Sequence, residues 1–192
     1  FFDTDVSTNI LSFGNQSGGE YFIGFTTNEY PEESGSGYAL DFDGINDYVI
    51  IDTNINQPVG GEARTIEAWV NTTDMSNNQS IINLGVSLIG ERFALRIKNG
   101  ELGIDIHGIT RFYQGEVSDG KWHHVAVSMG LSDKVNEMKF YLDGAELTSL
   151  SNVSGNQTSI PNTTLNHIYI GSKESGSNNF NGIIDEIRIW NT

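Results

Sequence analysis

The chain has 192 residues, of which 25 are acidic and 10 are Lys or Arg, giving a formal net charge of −15. Such an acidic chain repels polyanions and offers no basic cluster for phosphate binding, which excludes nucleic acid as a partner. Its 37% hydrophobic content can fill the core of one domain without disulfides, and it contains no cysteine. No apolar run approaches the roughly 20 residues of a membrane helix, so we expect no membrane insertion.

The first 36 residues differ in character from the rest of the chain. Phe1–Leu11 and Gly19–Thr27 can hold one or two strands, and Glu29–Gly37 is typical of a loop. The high aromatic content of this segment makes its exposure to water unfavourable, although a disordered linker is the alternative. We predict that residues 1–36 lead into the domain, with an edge strand in the same domain, and that residues 37–192 form the domain itself.

From residue 38 onward, short runs rich in Val, Ile, Phe, Tyr and Trp alternate with clusters of Gly, Asn, Asp and Ser. This spacing is typical of an antiparallel β-sandwich, and helical periodicity is nearly absent. The predicted strands are Tyr38–Phe42, Tyr48–Ile51, Arg64–Asn71, Ser80–Leu84, Phe93–Lys98, Glu101–Ile106, Trp122–Ser128, Met138–Leu142, Ala145–Ser149, Asn166–Ile170 and Gly182–Trp190. Asn99-Gly100 and Asp143-Gly144 indicate two-residue hairpin turns, because type I′ turns need positive φ at both positions.

The strand pattern also predicts which side chains fill the core. We expect the core to include Leu40, Phe42, Trp69, Val125, Val127, Ile184 and Ile187. Trp69 and Trp122 lie inside predicted strands and are interpreted as core residues, with exposed ligand platforms as the alternative. His123 and His124 have no His or Cys at a metal-binding spacing, so we interpret them as structural histidines.

Four stretches in order carry a resemblance: ALDFDGINDYV (39–49), TIEAWV (65–70), GKWHHVAVSM with KFYLDGA (120–145) and FNGIIDEIRIW (180–190). Together they resemble the laminin-G-like, concanavalin A-like domains of secreted bacterial proteins, which are related to pentraxins. The resemblance implies an all-β fold, a two-sheet antiparallel jelly-roll sandwich, over residues 37–192.

The resemblance also implies a structural calcium ion that joins the start of the domain to its last strand. The last-strand ligand maps onto Asp185, and the partner turn offers Asp43, the carbonyl of Gly44, and Asn46 or Asp47. Calcium takes six to eight hard oxygens, which such a mixture supplies. The alternative is that the turn residues bond their own backbone and that Asp185 pairs with Arg188.

A glycan is the partner that the resemblance implies. Candidate rim loops are Gly108–Glu116, Thr72–Gln79 and Ser172–Asn179, within which Arg111 and Tyr113 are the predicted ligand-binding residues. Arginine offers a planar donor fork and tyrosine a flat face with a polar tip. The alternative is that Phe112 and Tyr113 only cover the edge of the core.

Catalysis finds no support in the sequence, so we expect no enzyme. Hydrolases of this fold carry a Glu-x-Asp-x-x-Glu strand; ELGID (101–105) has the wrong spacing, and simple alternation puts Asp185 and Glu186 on opposite faces. The predicted function is a non-catalytic carbohydrate-binding module of a larger secreted or cell-surface bacterial protein. The alternative is a module that binds a cell-surface protein or serves structurally in adhesion.

Overall fold

A computed structural model describes residues 10–16, 20–26, 39–51, 57–75, 78–173 and 176–191. Fifteen β-strands account for the regular structure of these residues, together with one 3₁₀ turn at Val135–Glu137. Among the described residues, no helix is long and apolar enough to cross a membrane. The strands are β1 (Ile10–Gln16), β2 (Glu20–Thr26), β3 (Leu40–Asp43), β4 (Val49–Ile51), β5 (Arg64–Asn71), β6 (Asn78–Gly85), β7 (Arg92–Lys98), β8 (Glu101–Asp105), β9 (Thr110–Tyr113), β10 (Trp122–Met129), β11 (Lys139–Leu142), β12 (Ala145–Glu146), β13 (Leu150–Ser154), β14 (Ile168–Ile170) and β15 (Asn181–Trp190).

The strands form two antiparallel sheets. The eight-stranded sheet has the order β1-β2-β15-β5-β10-β11-β12, and β3 also pairs with β15. The seven-stranded sheet has the order β13-β9-β8-β7-β6-β14-β4. The last strand therefore lies in the middle of the first sheet, between β5 on one side and β2 and β3 on the other. This architecture confirms the predicted two-sheet jelly-roll sandwich.

The core lies between the two sheets and is built by strand alternation. In β5, Ile66, Ala68 and Val70 are buried, whereas the residues between them are less so. Because successive side chains point to opposite faces, one face of each central strand packs inward. Of the predicted core residues, Phe42, Val125, Val127, Ile184 and Ile187 are buried and Leu40 packs against the core.

The local signals of the sequence were reliable for most strands. Arg64–Asn71 has the predicted bounds, and both predicted hairpin turns have positive φ at Asn99, Gly100, Asp143 and Gly144. Two strands, β9 and the edge strand β13, were not predicted, because β9 lies in a stretch that we interpreted as a loop and β13 is exposed along its whole length.

The N-terminal segment contributes the hairpin β1–β2, which pairs with the C-terminal half of β15. The predicted loop Glu29–Gly37 lies outside the described residues. The domain boundary at residue 36 stays a prediction.

Candidate functional site

The outer face of the eight-stranded sheet exposes two tryptophans. Trp69 on β5 is 38% exposed and Trp122 at the start of β10 is 42% exposed. Their interpretation as core residues is therefore wrong. The alternation of β5 explains the error: Ile66, Ala68 and Val70 face inward, so Trp69 faces outward with the neighbours of its own parity. The acidic residue Glu67 lies two positions before Trp69 and so on the same face of β5. A charged residue on that face predicts that Trp69 points outward.

A shallow depression of about 270 Å³ lies on this face, lined by Trp69, Trp122, Asp185 and Glu186. Asp185 is the register partner of Trp69 across the β15–β5 ladder. Trp122 pairs with Asn71, so it lies diagonally from Trp69 on the other side of β5. Three strands that are far apart in sequence thus meet at one surface.

A β-bulge turns both carboxylates toward this depression. The β15–β5 register shifts between Asp185, which pairs with Trp69, and Arg188, which pairs with Glu67. Glu186 occupies the bulge with φ 47°, and its N–H donates to Oδ1 of Asp185 at 2.7 Å. The prediction that Asp185 and Glu186 lie on opposite faces is wrong, because the extra residue breaks the alternation and re-aims the side chain.

Glu67 connects the two sides of the depression. Its Oε1 accepts a hydrogen bond from Trp190 Nε1 at 3.2 Å and one from Arg188 at 3.5 Å, and Arg188 also donates to Glu186 at 2.8 Å. Its Oε2 lies 3.4 Å from Nε2 of His124. The His124 ring in turn meets the Trp69 ring edge-on, with centroids 5.4 Å apart. This network restrains Trp69 and Glu186 through their neighbours.

His123, beside Trp122, is bound by two carboxylates. Its Nδ1 lies 2.8 Å from Asp143 and its Nε2 lies 3.0 Å from Asp119. Burial on its own lowers the pKa of His123, but the two carboxylates outweigh it and raise that pKa. The pKa of Asp119 is lowered by hydrogen bonds from Lys121 and His123. The interpretation of His123 as a structural histidine fits this bridging position.

The strand register separates Asp185 from the turn residues that were predicted to bind the same calcium ion. Asp43 pairs with Asn181 in the β3–β15 ladder, so Asp185 lies four residues farther along β15, about 13 Å away at the usual strand rise. Calcium–oxygen distances are only about 2.3–2.6 Å, so the strand register alone does not place Asp43 and Asp185 on one ion, and the shared calcium ion stays a prediction. Among the described residues, no group of three or more His, Asp or Glu is placed to hold a metal.

The acidic turn after β3 binds its own backbone. Oδ1 of Asp43 accepts from the N–H groups of Ile45 (2.7 Å) and Asn46 (3.2 Å), and Oδ2 of Asp47 accepts from the Asp43 N–H (3.0 Å). The hydrogen bond from Ile45 is the main cause of the lowered pKa of Asp43. These contacts match the alternative interpretation of the turn, and calcium binding by Asp43, Gly44 and Asp47 alone stays a prediction. Arg188 pairs with Glu67 and Glu186, and its predicted alternative pairing with Asp185 stays a prediction.

Arg111 and Tyr113 lie on β9 of the seven-stranded sheet rather than in a rim loop. Tyr113 is only 4% exposed and belongs to the core, and its hydroxyl accepts a hydrogen bond from Arg111 Nε at 2.7 Å. The guanidinium of Arg111 lies 5.3 Å from the centre of the Tyr113 ring. Tyr113 therefore offers no exposed face for stacking, because alternation turns it toward the core. A role of this pair in ligand binding stays a prediction. The other two candidate loops include residues outside the described ranges.

A family model described as the concanavalin A-like lectin/glucanases superfamily matches residues 43–192, most of the chain. The chain belongs to this superfamily. The predicted laminin-G-like, concanavalin A-like resemblance is thereby confirmed. Among curated protein sequences, none matches the chain.

Several solved structures share this fold at low sequence identity. Domains LG4-5 of the mouse laminin α1 chain superpose with a TM-score of 0.57 and 18% identity, covering 87% of this chain. This chain spans 47% of that laminin fragment. The CBM40 of the Ruminococcus gnavus IT-sialidase, bound to α2,3 sialyllactose, gives 0.57 and 19% identity, covering 81% of this chain and 92% of that one. Domain 4 of a GH43 extracellular arabinanase from Geobacillus stearothermophilus, in complex with arabinotriose, superposes with a TM-score of 0.58 and 16% identity. The match covers 92% of this chain and 77% of that one.

Proposed function

We propose that this protein is a non-catalytic carbohydrate-binding module and that the depression at Trp69 and Trp122 is its glycan site. The observation that carries this proposal is the exposure of both indoles on one sheet face, beside two carboxylates. An indole offers a flat apolar face for the C–H side of a sugar ring together with a polar N–H. Each carboxylate accepts hydrogen bonds from hydroxyl groups, and bonds to a charged acceptor are stronger than neutral ones.

The superfamily relatives support a glycan as the ligand. The CBM40 structure contains sialyllactose and the arabinanase domain contains arabinotriose. Because a shared fold does not fix function, the assignment rests on the geometry of the tryptophan face, and the relatives add weight to it.

The arrangement of the carboxylates supports a binding role without catalysis. Glycoside hydrolases place two carboxyl groups on either side of the scissile bond, about 5–9.5 Å apart. Asp185 and Glu186 are adjacent in one strand and line a shallow, open surface, which lacks the water-excluded environment that strengthens electrostatic catalysis. We therefore expect binding without turnover.

We also propose that the module belongs to a larger secreted or cell-surface bacterial protein. The acidic, cysteine-free composition is compatible with such a setting. Its partner is then a polysaccharide or a glycan on another cell, and a cell-surface protein is the alternative partner.

The test is a glycan array, followed by calorimetric titration of the best oligosaccharide. We expect Trp69→Ala and Trp122→Ala each to weaken binding at least about tenfold, equivalent to about 1.4 kcal/mol. Tyr48→Ala is the matched control, because Tyr48 is an aromatic residue of similar exposure, 39%, beside β4 of the other sheet, and this variant should bind normally.

Three outcomes contradict the proposal. They are release of reducing ends by the purified protein, normal glycan binding by both tryptophan variants, and binding to protein ligands only. The last outcome supports the adhesion alternative.

A further inference from the structure

A second cluster of polar side chains lies on the seven-stranded sheet, away from the tryptophan face. Arg92 and Arg96 on β7 both donate to Oδ2 of Asp105 on β8, at 3.1 and 2.6 Å. They alternate along β7 with Phe93, Leu95 and Ile97 of the core, so they belong to the outer face. The arginines are nevertheless 1% and 6% exposed, and Asp105 is 7% exposed. The glycan proposal does not involve this cluster.

The cluster carries one positive charge more than its carboxylate neutralises. The cluster contains two guanidinium groups but only one carboxyl group, that of Asp105. Burial lowers the pKa of Arg96, Asp105 raises it, and repulsion from Arg92 lowers it again. An unbalanced buried charge is costly, so the surplus calls for a counter-ion.

Several polar atoms around the two arginines have no hydrogen-bond partner among the described residues. These buried atoms are Nε of Arg92, Nε of Arg96, Oγ of Ser80 and both amide atoms of Asn83. Ser80 is the register partner of Arg96, and Asn83 is the partner of Ala94, which lies between the arginines on β7. Diagonal neighbours across a sheet are within reach of long side chains. The unpartnered atoms therefore occupy one region, and most of them are donors.

Another buried arginine shows that this fold can give every nitrogen of a guanidinium group an acceptor. Arg64 is completely buried, and each of its three nitrogens donates to an oxygen of the protein. Its acceptors are the carbonyls of Glu62, Val59 and Gly60 and the hydroxyl of Thr163. The unpaired Nε–H groups of Arg92 and Arg96 are therefore specific to their own site. Buried polar groups without a protein partner generally bind a water molecule or an ion.

We propose that the Arg92–Arg96–Asp105 cluster binds a small monovalent anion, either a halide or a simple carboxylate. One negative charge balances the surplus. The two Nε–H groups, the Asn83 amide and the Ser80 hydroxyl supply donors for it. The burial of these atoms limits the anion to a small one, and a doubly charged sulfate overcompensates the single surplus charge.

The first test is thermal unfolding at constant ionic strength, with sodium gluconate as a bulky reference salt replaced stepwise by chloride, acetate or sulfate. We expect chloride to raise Tm by about 3 °C or more at a tenfold excess over its Kd, because it binds only the folded state. Acetate distinguishes a carboxylate-accepting site from a halide site, and sulfate should have a much smaller effect.

The second test uses Arg96→Met, which removes the surplus charge and one donor. Its Tm should no longer respond to chloride, whereas Arg111→Met, a part-buried arginine of the same sheet, should keep the full response. Should Arg96→Met not fold, crystals of the unaltered protein grown in bromide give the same answer, with an anomalous peak beside both Nε atoms. A Tm indifferent to both chloride and acetate, together with density for water alone, overturns the proposal, as does an equal response to the stabilising anion in Arg96→Met.

Discussion

Glu186 has a backbone conformation that residues other than Gly, Asn and Asp rarely adopt. Its φ of 47° lies in the left-handed region, which costs an ordinary L-residue about 1–2 kcal/mol. Strain of this kind persists where the surrounding structure fixes it, and here Ile187 and Ile184 are both buried. Because the strained residue also lines the depression, we infer that its side chain takes part in binding.

Glu186→Gly separates these two effects. Glycine adopts the left-handed conformation without strain. It also loses more chain entropy on folding, and the exposed ion pair with Arg188 disappears. These effects offset each other, so we expect the free energy of unfolding to stay within about 1 kcal/mol of the parent value. Glycan affinity should fall several-fold, because one carboxylate is gone. Chemical denaturation and calorimetric titration measure the two quantities. A large loss of stability with unchanged affinity means that the carboxylate is structural.

Residue parity could have revealed much of this site from the sequence. In TIEAWV, Trp69 shares the parity of Thr65 and Glu67, which predicts an outward side chain. In IIDEIRI, Ile184 and Ile187 are three residues apart, so strict alternation cannot bury both. Their shared place in the predicted core already required an extra residue between them. The position of that residue, at Glu186, depends on the register with β5 and could not be derived locally.

At the scale of elements, His123 joins β10 to two neighbouring loops. It bridges Asp119, in the loop before β10, and Asp143, in the turn between β11 and β12. The same turn accepts the backbone N–H of His124 at 2.9 Å through Asp143. The raised pKa of His123 shows that its protonated form is favoured in the folded state, which makes the start of β10 sensitive to pH.

The stability contributed by this bridge should depend on pH in a defined direction. His123 has a higher pKa in the folded than in the unfolded state, so its protonation stabilises the folded protein fully below the usual His value of 6.5. This contribution is lost as pH rises through the raised pKa. Asp119 and Asp143 have lowered pKa values, so their contribution is present above 3.8 and is lost as pH falls through the lowered values. Between these limits the bridge is intact.

Denaturation curves from pH 5 to pH 9 measure this effect. We expect the unfolding free energy of the parent protein to decline above pH 6.5 and that of His123→Gln to decline less. Equal slopes for both proteins show that His123 contributes nothing to the pH dependence. His124→Gln is a control at the next position of the same strand.

Elements with local signals were predicted well, whereas those defined by long-range pairing were not. Two-residue Asn-Gly and Asp-Gly turns determine their own backbone conformation, so the hairpins at residues 99–100 and 143–144 could be predicted. The exposed edge strand β13 has no buried face and hence no alternation to detect. Its existence follows only from pairing with β9.

At the scale of the whole molecule, the sandwich brings together residues that are distant in sequence. Trp69, Trp122 and Asp185 lie on β5, β10 and β15, which are adjacent in the sheet because the last strand inserts into its middle. The sequence predicts the fold class, since alternation and turns recur along the whole chain. The site could not be predicted in the same way, because it depends on which strands become neighbours and at what register.

The claim that the tryptophan face binds a glycan has one direct measurement. The chain contains three tryptophans, so a ¹H–¹⁵N spectrum shows three indole N–H signals, which the single variants assign. During titration with the oligosaccharide found on the array, the signals of Trp69 and Trp122 should shift together with one Kd. The signal of Trp190, whose Nε1 donates to Glu67, should shift less. Saturable binding that leaves the Trp69 and Trp122 signals unmoved contradicts the account and places the glycan elsewhere on the protein.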